Sequence, residues 1–250
     1  MTTPQPVVWI TRTPEGARRT ARAVHLKGYE TLISPVLKIQ SLKPVLEPHS
    51  FDELILTSRN GLNAFCAICS RRAITVWCVG DSTAEAARAK KFQRVISAGG
   101  NVRLLTDRIR TDASKHSRML YAAPREPAST MGTTLRAEGF KITEVALYET
   151  QYLLPRFTPD ELNRITHILI QSPKAGRAVA EALIAYYDKI NLADLTFLCI
   201  SEAAWNATEK ALRTKAQGDA LTAIQNYLDT GANRRISSFP DEASMLMLLD

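Results

Sequence analysis

The feature that most constrains the fold of this chain is an internal repeat. Residues 8–39 align without a gap on residues 119–150, at an offset of 111 that places Gly28 on Gly139. Each copy predicts a strand, an amphipathic helix that ends at the glycine, and a second strand, because glycine is favoured where the backbone just past a helix adopts positive φ. A chain that contains this unit twice is predicted to fold into two similar halves.

A second unit also repeats. Residues 54–65 match residues 168–179, and residues 76–86 match residues 197–207. In each stretch a short apolar run ends in small polar residues and is followed by an alanine-rich helical pattern, which is typical of parallel strands in an α/β sheet. We therefore predict an α/β protein with two similar flavodoxin- or Rossmann-like domains, each a parallel sheet with helices on both faces.

The order of the repeats leaves the pairing of the units open. The units run A, B, A′, B′ along the chain, so either A joins B and A′ joins B′, or an inserted B–A′ domain interrupts a domain made of A and B′. The second copy loses its similarity to the first near its end, where residues 215–218 align with residues 94–97. A short or missing edge strand is therefore expected at residues 215–218. The tail from Thr230 has no counterpart and is predicted to be a loop, in which a last helical turn can form.

The charge of the chain favours an acidic small molecule as the ligand. Lys and Arg number 32 against 25 Asp and Glu, a net charge of +7, and such a surplus attracts polyanions. The surplus is spread along the chain, and the aromatic residues do not interleave with the basic ones as nucleic-acid stacking platforms do.

No apolar run approaches the roughly 20 residues of a membrane helix, and residues 1–6 lack the features of a secretory signal. We expect a cytoplasmic protein with no nucleic-acid or membrane partner.

The cysteines predict structural thiols. Cys66 and Cys69 form a C-x-x-C that falls late in a predicted helix, whereas a redox pair occupies the first turn, where the helix N-terminus lowers the thiol pKa. Cys78 and Cys199 are distant in sequence, no second ligand pair lies nearby, and the four histidines are isolated. The sequence therefore predicts neither a metal site nor redox chemistry.

The predicted strand ends carry the polar residues that could bind a ligand. In parallel α/β sheets, ligands bind beyond the carboxyl ends of the strands. Plain helix capping, worth about 1 kcal/mol, explains any single one of these residues, but six such ends with neighbouring cations predict an anion-binding cleft. No dinucleotide, P-loop or nucleophile-elbow motif follows any predicted strand. The strand ends are Thr11–Arg12, Thr57–Asn60, Gly80–Thr83, Ala123–Arg125, Gln171–Lys174 and Ser201.

Six motifs, in this order and with this spacing, resemble the uroporphyrinogen-III synthase family over about residues 7–212. Each motif is short, and it is the ordered set that makes the resemblance specific. They are Ile10–Pro14, Ser34–Leu37, Leu56–Gly61, Val79–Thr83, Glu144–Thr150 and Gln171–Lys174.

The resemblance implies a fold and an activity. The fold has one domain of residues 1–36 plus 152–250 and an inserted domain of residues 41–147, with linkers at about 37–40 and 148–151 that form a two-stranded β ladder, and a cleft between the domains. The activity is the closure of hydroxymethylbilane, a linear tetrapyrrole with two carboxylates on every ring, to uroporphyrinogen III, with loss of water and inversion of ring D. The enzyme is expected to be a monomer that needs no cofactor or metal. The alternative is a non-catalytic two-lobed binder of an acidic metabolite or tetrapyrrole.

The resemblance also implies roles for particular residues. Tyr148 matches the tyrosine of the family's second inter-domain segment and is the candidate general acid toward the leaving hydroxyl, with a half-buried structural tyrosine as the alternative. Binding of the substrate carboxylates is assigned to residues at the strand ends. The competing interpretation is that each of these residues occupies a solvent-exposed position at a helix cap. These residues are Thr83, Ser58, Ser172, Arg12, Arg59, Lys174 and Ser201.

One segment departs from the family pattern. Family members carry a glycine and a threonine at the second domain's turn, where this chain has Ser201-Glu202-Ala203-Ala204. The expected hydroxyl is absent, and Glu202 adds negative charge near an acidic substrate. Either Ser201 substitutes, or backbone N–H groups suffice, or activity is reduced.

Overall fold

A computed structural model describes residues 5–127 and 129–250 as strands and helices that alternate along the chain. Up to residue 152 the elements are β1 (Val7–Ile10), α1 (Pro14–His25), β2 (Glu30–Ile33), β3 (Leu37–Ser41), β4 (Glu53–Leu56), α2 (Arg59–Ile68), β5 (Thr75–Cys78), α3 (Asp81–Ala89), β6 (Arg94–Ser97), α4 (Val102–Asp112), β7 (Arg118–Pro124), α5 (Met131–Ala137) and β8 (Lys141–Tyr152). The later elements are α6 (Pro159–Arg164), β9 (Ile165–Ile170), α7 (Pro173–Ala185), a 3₁₀ turn (Leu192–Asp194), β10 (Thr196–Cys199), α8 (Glu202–Lys215), α9 (Gly218–Asp229), β11 (Arg234–Ile236), α10 (Glu242–Leu246) and a final 3₁₀ turn (Met247–Leu249).

The first sheet joins the two ends of the chain. Its five strands lie in the order β2-β1-β9-β10-β11, and every neighbouring pair is parallel. From β1 the next strand, β2, is added on one side of the sheet, and from β9 the strands β10 and β11 are added on the other side. The boundary between β1 and β9 is therefore the switch point at which ligands of open α/β sheets bind.

The second sheet repeats that pattern with the middle of the chain. Its strands β8-β7-β4-β5-β6 are parallel, with the switch point between β7 and β4, and β3 lies outside β8. The amide of Leu42 donates to the carbonyl of Leu147 at 2.9 Å, and the amide of Leu153 donates to the carbonyl of Val36 at 2.9 Å. From 36 to 42 the residue numbers rise on the first segment, while those of their partners fall from 153 to 147 on the second. The two segments therefore pair antiparallel.

The topology resolves the pairing of the repeated units. β1 and β2 of unit A join β9, β10 and β11 of unit B′, while the strands of B join those of A′. Contacts group the chain into two compact units, one up to Lys38 together with Gln151–Asp250 and the other Ile39–Thr150. The predicted α/β class with two parallel sheets is confirmed, and independent folding of domains with the predicted boundaries stays a prediction.

Alternation along the strands places apolar side chains on both faces of each sheet. Trp9 packs on one face of the first sheet with Phe197 and Trp205, where α7 and α8 cover it. Val8 and Ile10 face the other side, together with residues of α1 and α10. A strand that is buried on both faces is predicted to be apolar throughout, as β1 is.

The two aligned glycines end helices as predicted. Gly28 and Gly139 follow α1 and α5 with φ of 81° and 92°, a backbone conformation that favours glycine. Each glycine turns the chain into the next strand, which pairs parallel with the strand before the helix. No helix within residues 5–127 and 129–250 is long and apolar enough to cross a membrane.

The end of the chain differs from the expected loop. As expected, no strand lies at residues 215–218, which join the end of α8 to the start of α9, and a short edge strand, β11, follows at Arg234–Ile236. The loop prediction is therefore wrong for these three residues, while the predicted last helical turn is present as α10. Like α4 after β6, α10 follows the edge strand, and its Met245 is fully buried. The tail therefore contributes buried side chains to the core on one face of the first sheet.

Candidate functional site

Two of the predicted residues meet beside the switch point of the second sheet. The phenol oxygen of Tyr148, on β8, lies 2.9 Å from Oγ of Ser58, which follows β4. The Ser58 Oγ also accepts a hydrogen bond of 3.2 Å from the amide of Gly61 and so caps α2. A serine hydroxyl has two acceptor positions and one donor position, so it can cap the helix and bond the phenol at once.

The surroundings of Tyr148 keep its phenol protonated at neutral pH. Its side chain is 6% exposed, and burial raises its pKa above the usual 10, while the hydrogen bond with Ser58 partly offsets that rise. The group can therefore donate a proton or a hydrogen bond, and it cannot serve as a base at neutral pH.

The close approach of α2 to β7 depends on Gly61. A Cβ atom there would lie 2.8 Å from the carbonyl oxygen of Ala122 and 3.7 Å from the ring of Tyr148. The first turn of α2, which begins after Ser58, can occupy this position only because the residue has no side chain.

A second buried phenol lies on the opposite face of the same sheet. The phenol oxygen of Tyr121, on β7, is 3.3 Å from Oγ1 of Thr57. Burial raises its pKa, and the bond to Thr57 lowers it. The consecutive residues Thr57 and Ser58 thus each contact one tyrosine. Nothing in the sequence singled out Tyr121, because an aromatic residue in an apolar strand is typical of a core position.

In the first sheet the predicted serines are helix caps. Oγ of Ser172 accepts from the amide of Ala175 at 3.0 Å and begins α7, and Oγ of Ser201 accepts from the amide of Ala204 at 3.3 Å and begins α8. Each cap uses one acceptor position, which leaves the O–H group of each serine able to donate to a carboxylate. Their assignment to substrate stays a prediction.

Thr83 and Arg59 lie in the first turns of α3 and α2, which pack on the second sheet. Thr83 is the third residue of α3 and is 5% exposed, and its hydroxyl has no hydrogen-bond partner within the described residues. Arg59 is the first residue of α2 and is exposed, and it forms no ion pair in that same part of the chain. Their assignment to substrate stays a prediction.

Arg12 is engaged inside the protein. Its Nη1 lies 2.8 Å from Oε1 of Glu242, on α10, and 3.1 Å from Oγ1 of Thr20. The predicted binding residue therefore contacts a carboxylate of its own chain, 230 residues away in sequence. The sequence held no signal for this pair, because α10 lies outside both repeats.

Lys174 lies over an aromatic ring. Its Nζ is 5.9 Å from the ring centroid of Tyr152, the last residue of β8, and Nε of Arg177 donates to the Tyr152 hydroxyl at 3.3 Å. A cation at this distance from a ring is held by the negative face of the π-system. The arrangement places two cations of α7 around one tyrosine.

The thiols lack the features of a reactive site. Burial raises the pKa of Cys66 and raises the pKa of Cys78 and of Cys199 to about 12. Cys69 is the C-cap residue that follows Ile68, the last residue of α2, so the C-x-x-C lies at the end of the helix. Within residues 5–127 and 129–250 no three His, Cys, Asp or Glu side chains cluster in a way that could hold a metal ion.

Comparison with known families assigns the chain. The family model described as uroporphyrinogen-III synthase HemD matches residues 18–220. The chain belongs to the uroporphyrinogen-III synthase family. The matched range contains Tyr148, Ser58 and Thr83, and it ends before β11 and α10.

A solved uroporphyrinogen-III synthetase shares the fold. The synthetase from Helicobacter pylori matches with a TM-score of 0.59 at 18% identity, over 98% of this chain and 97% of that one. A mutant synthase from Thermus thermophilus matches with a TM-score of 0.49 at 13% identity, over 89% of this chain and 97% of that one. No curated protein matches the chain by sequence.

Proposed function

We propose that this chain is a uroporphyrinogen-III synthase, which closes hydroxymethylbilane to uroporphyrinogen III with loss of water and inversion of ring D. The observation that carries the proposal is the match of the synthase family model over residues 18–220. The pairing of Tyr148 with Ser58 beside a switch point supports it, because a buried, protonated phenol is a group that could assist a leaving hydroxyl. We further propose that the enzyme acts as a cytoplasmic monomer without a cofactor.

Tyr148 is the proposed proton donor. The pyrrole nitrogen pushes electrons toward the hydroxymethyl carbon, the C–O bond breaks, and the phenol proton goes to the departing oxygen, which leaves as water. Ser58 can donate its O–H to the phenolate that remains. A phenol with a raised pKa is a weak acid at neutral pH, so its contribution is about 10–100-fold, at or below the usual range for acid catalysis.

Orientation of the chain of pyrroles supplies most of the catalysis in this proposal. Ring D attacks the electrophilic azafulvenium cation through its substituted carbon and forms a spiro intermediate, which fragments and closes again with ring D reversed. The ring D carbon that forms the final bond then loses a proton to the phenolate of Tyr148, which restores the phenol. Unaided closure gives the symmetric type I isomer, so the protein must hold the substrate in the bent conformation that leads to type III.

The substrate's carboxylates give the strand-end residues their proposed task. Ser172 and Ser201 each retain an O–H group after they cap α7 and α8, and the Thr83 hydroxyl has no partner in the described chain. Charge-assisted hydrogen bonds from such groups to a carboxylate are about twice as strong as neutral ones. Arg59, after β4, and Lys174, after β9, would each add positive charge at a strand end of their own sheet.

The test is a product assay. The purified protein is incubated with freshly prepared hydroxymethylbilane, and the isomers are separated by chromatography after oxidation. We expect the type III isomer in excess over the type I background. Type I alone would refute the synthase proposal and would favour the second candidate, a non-catalytic tetrapyrrole binder, which the Ser201–Ala204 departure from the family pattern supports.

A further inference from the structure

One carboxylate of this protein is bound by three converging donors. The side chain of Glu242, on α10, contacts Nη1 of Arg12 at 2.8 Å, Nη2 of Arg19 at 2.6 Å, and the hydroxyl of Thr20. All three donors belong to the segment from the end of β1 through α1, whereas the carboxylate comes from the far end of the chain. These contacts lower the pKa of Glu242 although its partial burial acts in the opposite direction.

The three donors are arranged as a carboxylate site. Arg12 follows the carboxyl end of β1, and its guanidinium lies against the first turns of α1, where a Cβ atom on Gly16 would be 2.3 Å from Nε of Arg12. Thr20 lies on the same side of α1, because its hydroxyl oxygen is 3.2 Å from the carbonyl oxygen of Gly16. Two guanidinium groups and one hydroxyl suit a carboxylate that accepts at both oxygens. With Glu242 bound, the two cations leave the cluster with one positive charge.

The docking of α10 does not depend on Glu242 alone. Met245 and Leu249 are buried with the residues of α1 and the first sheet. The Tyr29 hydroxyl donates to the Leu249 carbonyl at 2.7 Å, and Lys27 forms an ion pair with Asp250. The Glu242 side chain keeps 23% of its surface exposed. Rotation of this one side chain could therefore open the site while the tail stays in place.

We propose that Arg12, Arg19 and Thr20 form a carboxylate-binding site that Glu242 occupies in the free protein and that a carboxylate of a polycarboxylate ligand occupies in its place. That the ligand is the tetrapyrrole substrate rests on the proposed function. A ligand with many carboxylates can displace an internal one because its other carboxylates hold it nearby and raise the effective concentration of the arm that enters. Glu242 then acts as a selectivity residue, since only a ligand anchored elsewhere displaces it.

The experiment measures binding of a polycarboxylate that does not react. The probe is uroporphyrin I, and its Kd is followed by quenching of tryptophan fluorescence. Glu242→Gln retains the shape of the side chain but removes its charge, so the site opens more often. Because apparent affinity scales with the open fraction of a site, we expect the Kd to fall by about three- to tenfold.

Two controls make the result specific. Asp250→Asn removes the same unit of negative charge from the same tail but leaves the cluster intact, so its Kd should stay within about twofold of the unaltered protein. The double variant Arg19→Gln with Glu242→Gln should lose the gain in affinity, and because Arg19 is exposed, this change should leave the fold intact.

The outcomes separate this inference from the proposed function. An unchanged Kd in Glu242→Gln, an equal gain in Asp250→Asn, or a gain that persists in the double variant would overturn the carboxylate site. Failure to form the type III isomer would overturn the synthase proposal alone, because the probe binds without turnover.

Discussion

The phenol oxygen of Tyr148 and the hydroxyl oxygen of Ser58 lie 2.9 Å apart and join β8 to the start of α2. The two residues are separated by 90 positions in sequence. Ser58 also caps α2, so one hydroxyl fixes both the helix start and the orientation of the phenol. Because Ser58 both caps α2 and contacts the phenol, we expect its substitution to lower stability and rate together. Substitution of Tyr148 is expected to lower mainly the rate.

Replacement of Tyr148 by Phe should slow turnover by about 10–100-fold, the contribution proposed for the proton donor. The ring is retained, and only one hydrogen bond is lost, so the free energy of unfolding should fall by about 1 kcal/mol. Single-turnover formation of the type III isomer and a thermal melt would test both expectations. An unchanged rate would refute the role assigned to Tyr148.

Tyr121→Phe is the matched control for that experiment. It also removes a buried phenol hydroxyl from the same sheet, and Tyr121 bonds Thr57 as Tyr148 bonds Ser58. We expect a similar change in stability with a rate within about twofold of the unaltered protein, because loss of one neutral hydrogen bond changes stability by about 1 kcal/mol and removes no proposed proton donor. Equal slowing in both variants would attribute the effect to the sheet and not to proton donation.

Ser58→Ala should reduce both stability and rate. Loss of the cap on α2 costs about 1 kcal/mol. The variant also removes the hydrogen bond that lowers the pKa of Tyr148, so that pKa should rise further and the phenol should become a poorer proton donor. Asn101→Ala removes a cap from α4 in the same unit, where Oδ1 accepts from Leu104 at 3.1 Å, and should lower stability alone. Rates that fall equally in both variants would contradict the link to Tyr148.

Much of the fold can be predicted from the sequence because the sequence contains an internal repeat. The alignment of Gly28 with Gly139 predicts two strand–helix–strand units, and both are present with the glycine at positive φ. β11 could not be predicted, because two of its three residues are exposed arginines and an edge strand needs no apolar run. It is held by backbone pairing with β10, which local sequence does not encode.

The candidate site is predictable only in part, because its contacts are long-range. Strand ends can be located from apolar runs followed by capping residues, and Ser58, Ser172 and Ser201 do begin helices. Which side chain faces which partner depends on packing. The bond of Tyr148 to Ser58 and the ion pair of Arg12 with Glu242 each join distant parts of the chain, and no local pattern carries that information.

The ion pair between Asp52 and Arg118 predicts an acid-dependent loss of stability. Hydrogen bonds from the Arg118 side chain and then from its backbone amide lower the pKa of Asp52 from 3.8 to about 2. A carboxyl whose pKa is lower in the folded state contributes stability above the unfolded value and loses it as pH falls through the folded value. The contribution should therefore be present above pH 4 and disappear between about pH 4 and pH 2.

Urea unfolding of the unaltered protein and of Asp52→Asn, at several pH values, would test this. The midpoints should differ at pH 5 and converge as pH approaches 2. Asp188→Asn is the control, because Asp188 is exposed and forms no hydrogen bond or ion pair in the described part of the chain. A difference for Asp52→Asn that persists unchanged at pH 2 would contradict the assignment.

Gly61→Ala should be destabilising, although alanine is favoured over glycine inside a helix by about 1 kcal/mol. The new Cβ would lie 2.8 Å from the backbone oxygen of Ala122, which cannot move without shifting β7. Relief of the clash must come from α2, so we expect a loss of about 1–3 kcal/mol. Because Ser58 moves with α2, the bond to Tyr148 should lengthen and the rate should fall as well.

Gly132→Ala, in α5, provides the contrast that tests this reasoning. A Cβ there would lie 2.4 Å from Oε2 of Glu144, but that atom is the end of a flexible side chain and can rotate away. Stability should then remain within about 1 kcal/mol of the unaltered protein, since the helix preference for alanine offsets the rearrangement. Chemical denaturation of both variants, with the isomer assay, would decide: equal stability losses at the two positions would show that the close approach of α2 to β7 is not what requires Gly61.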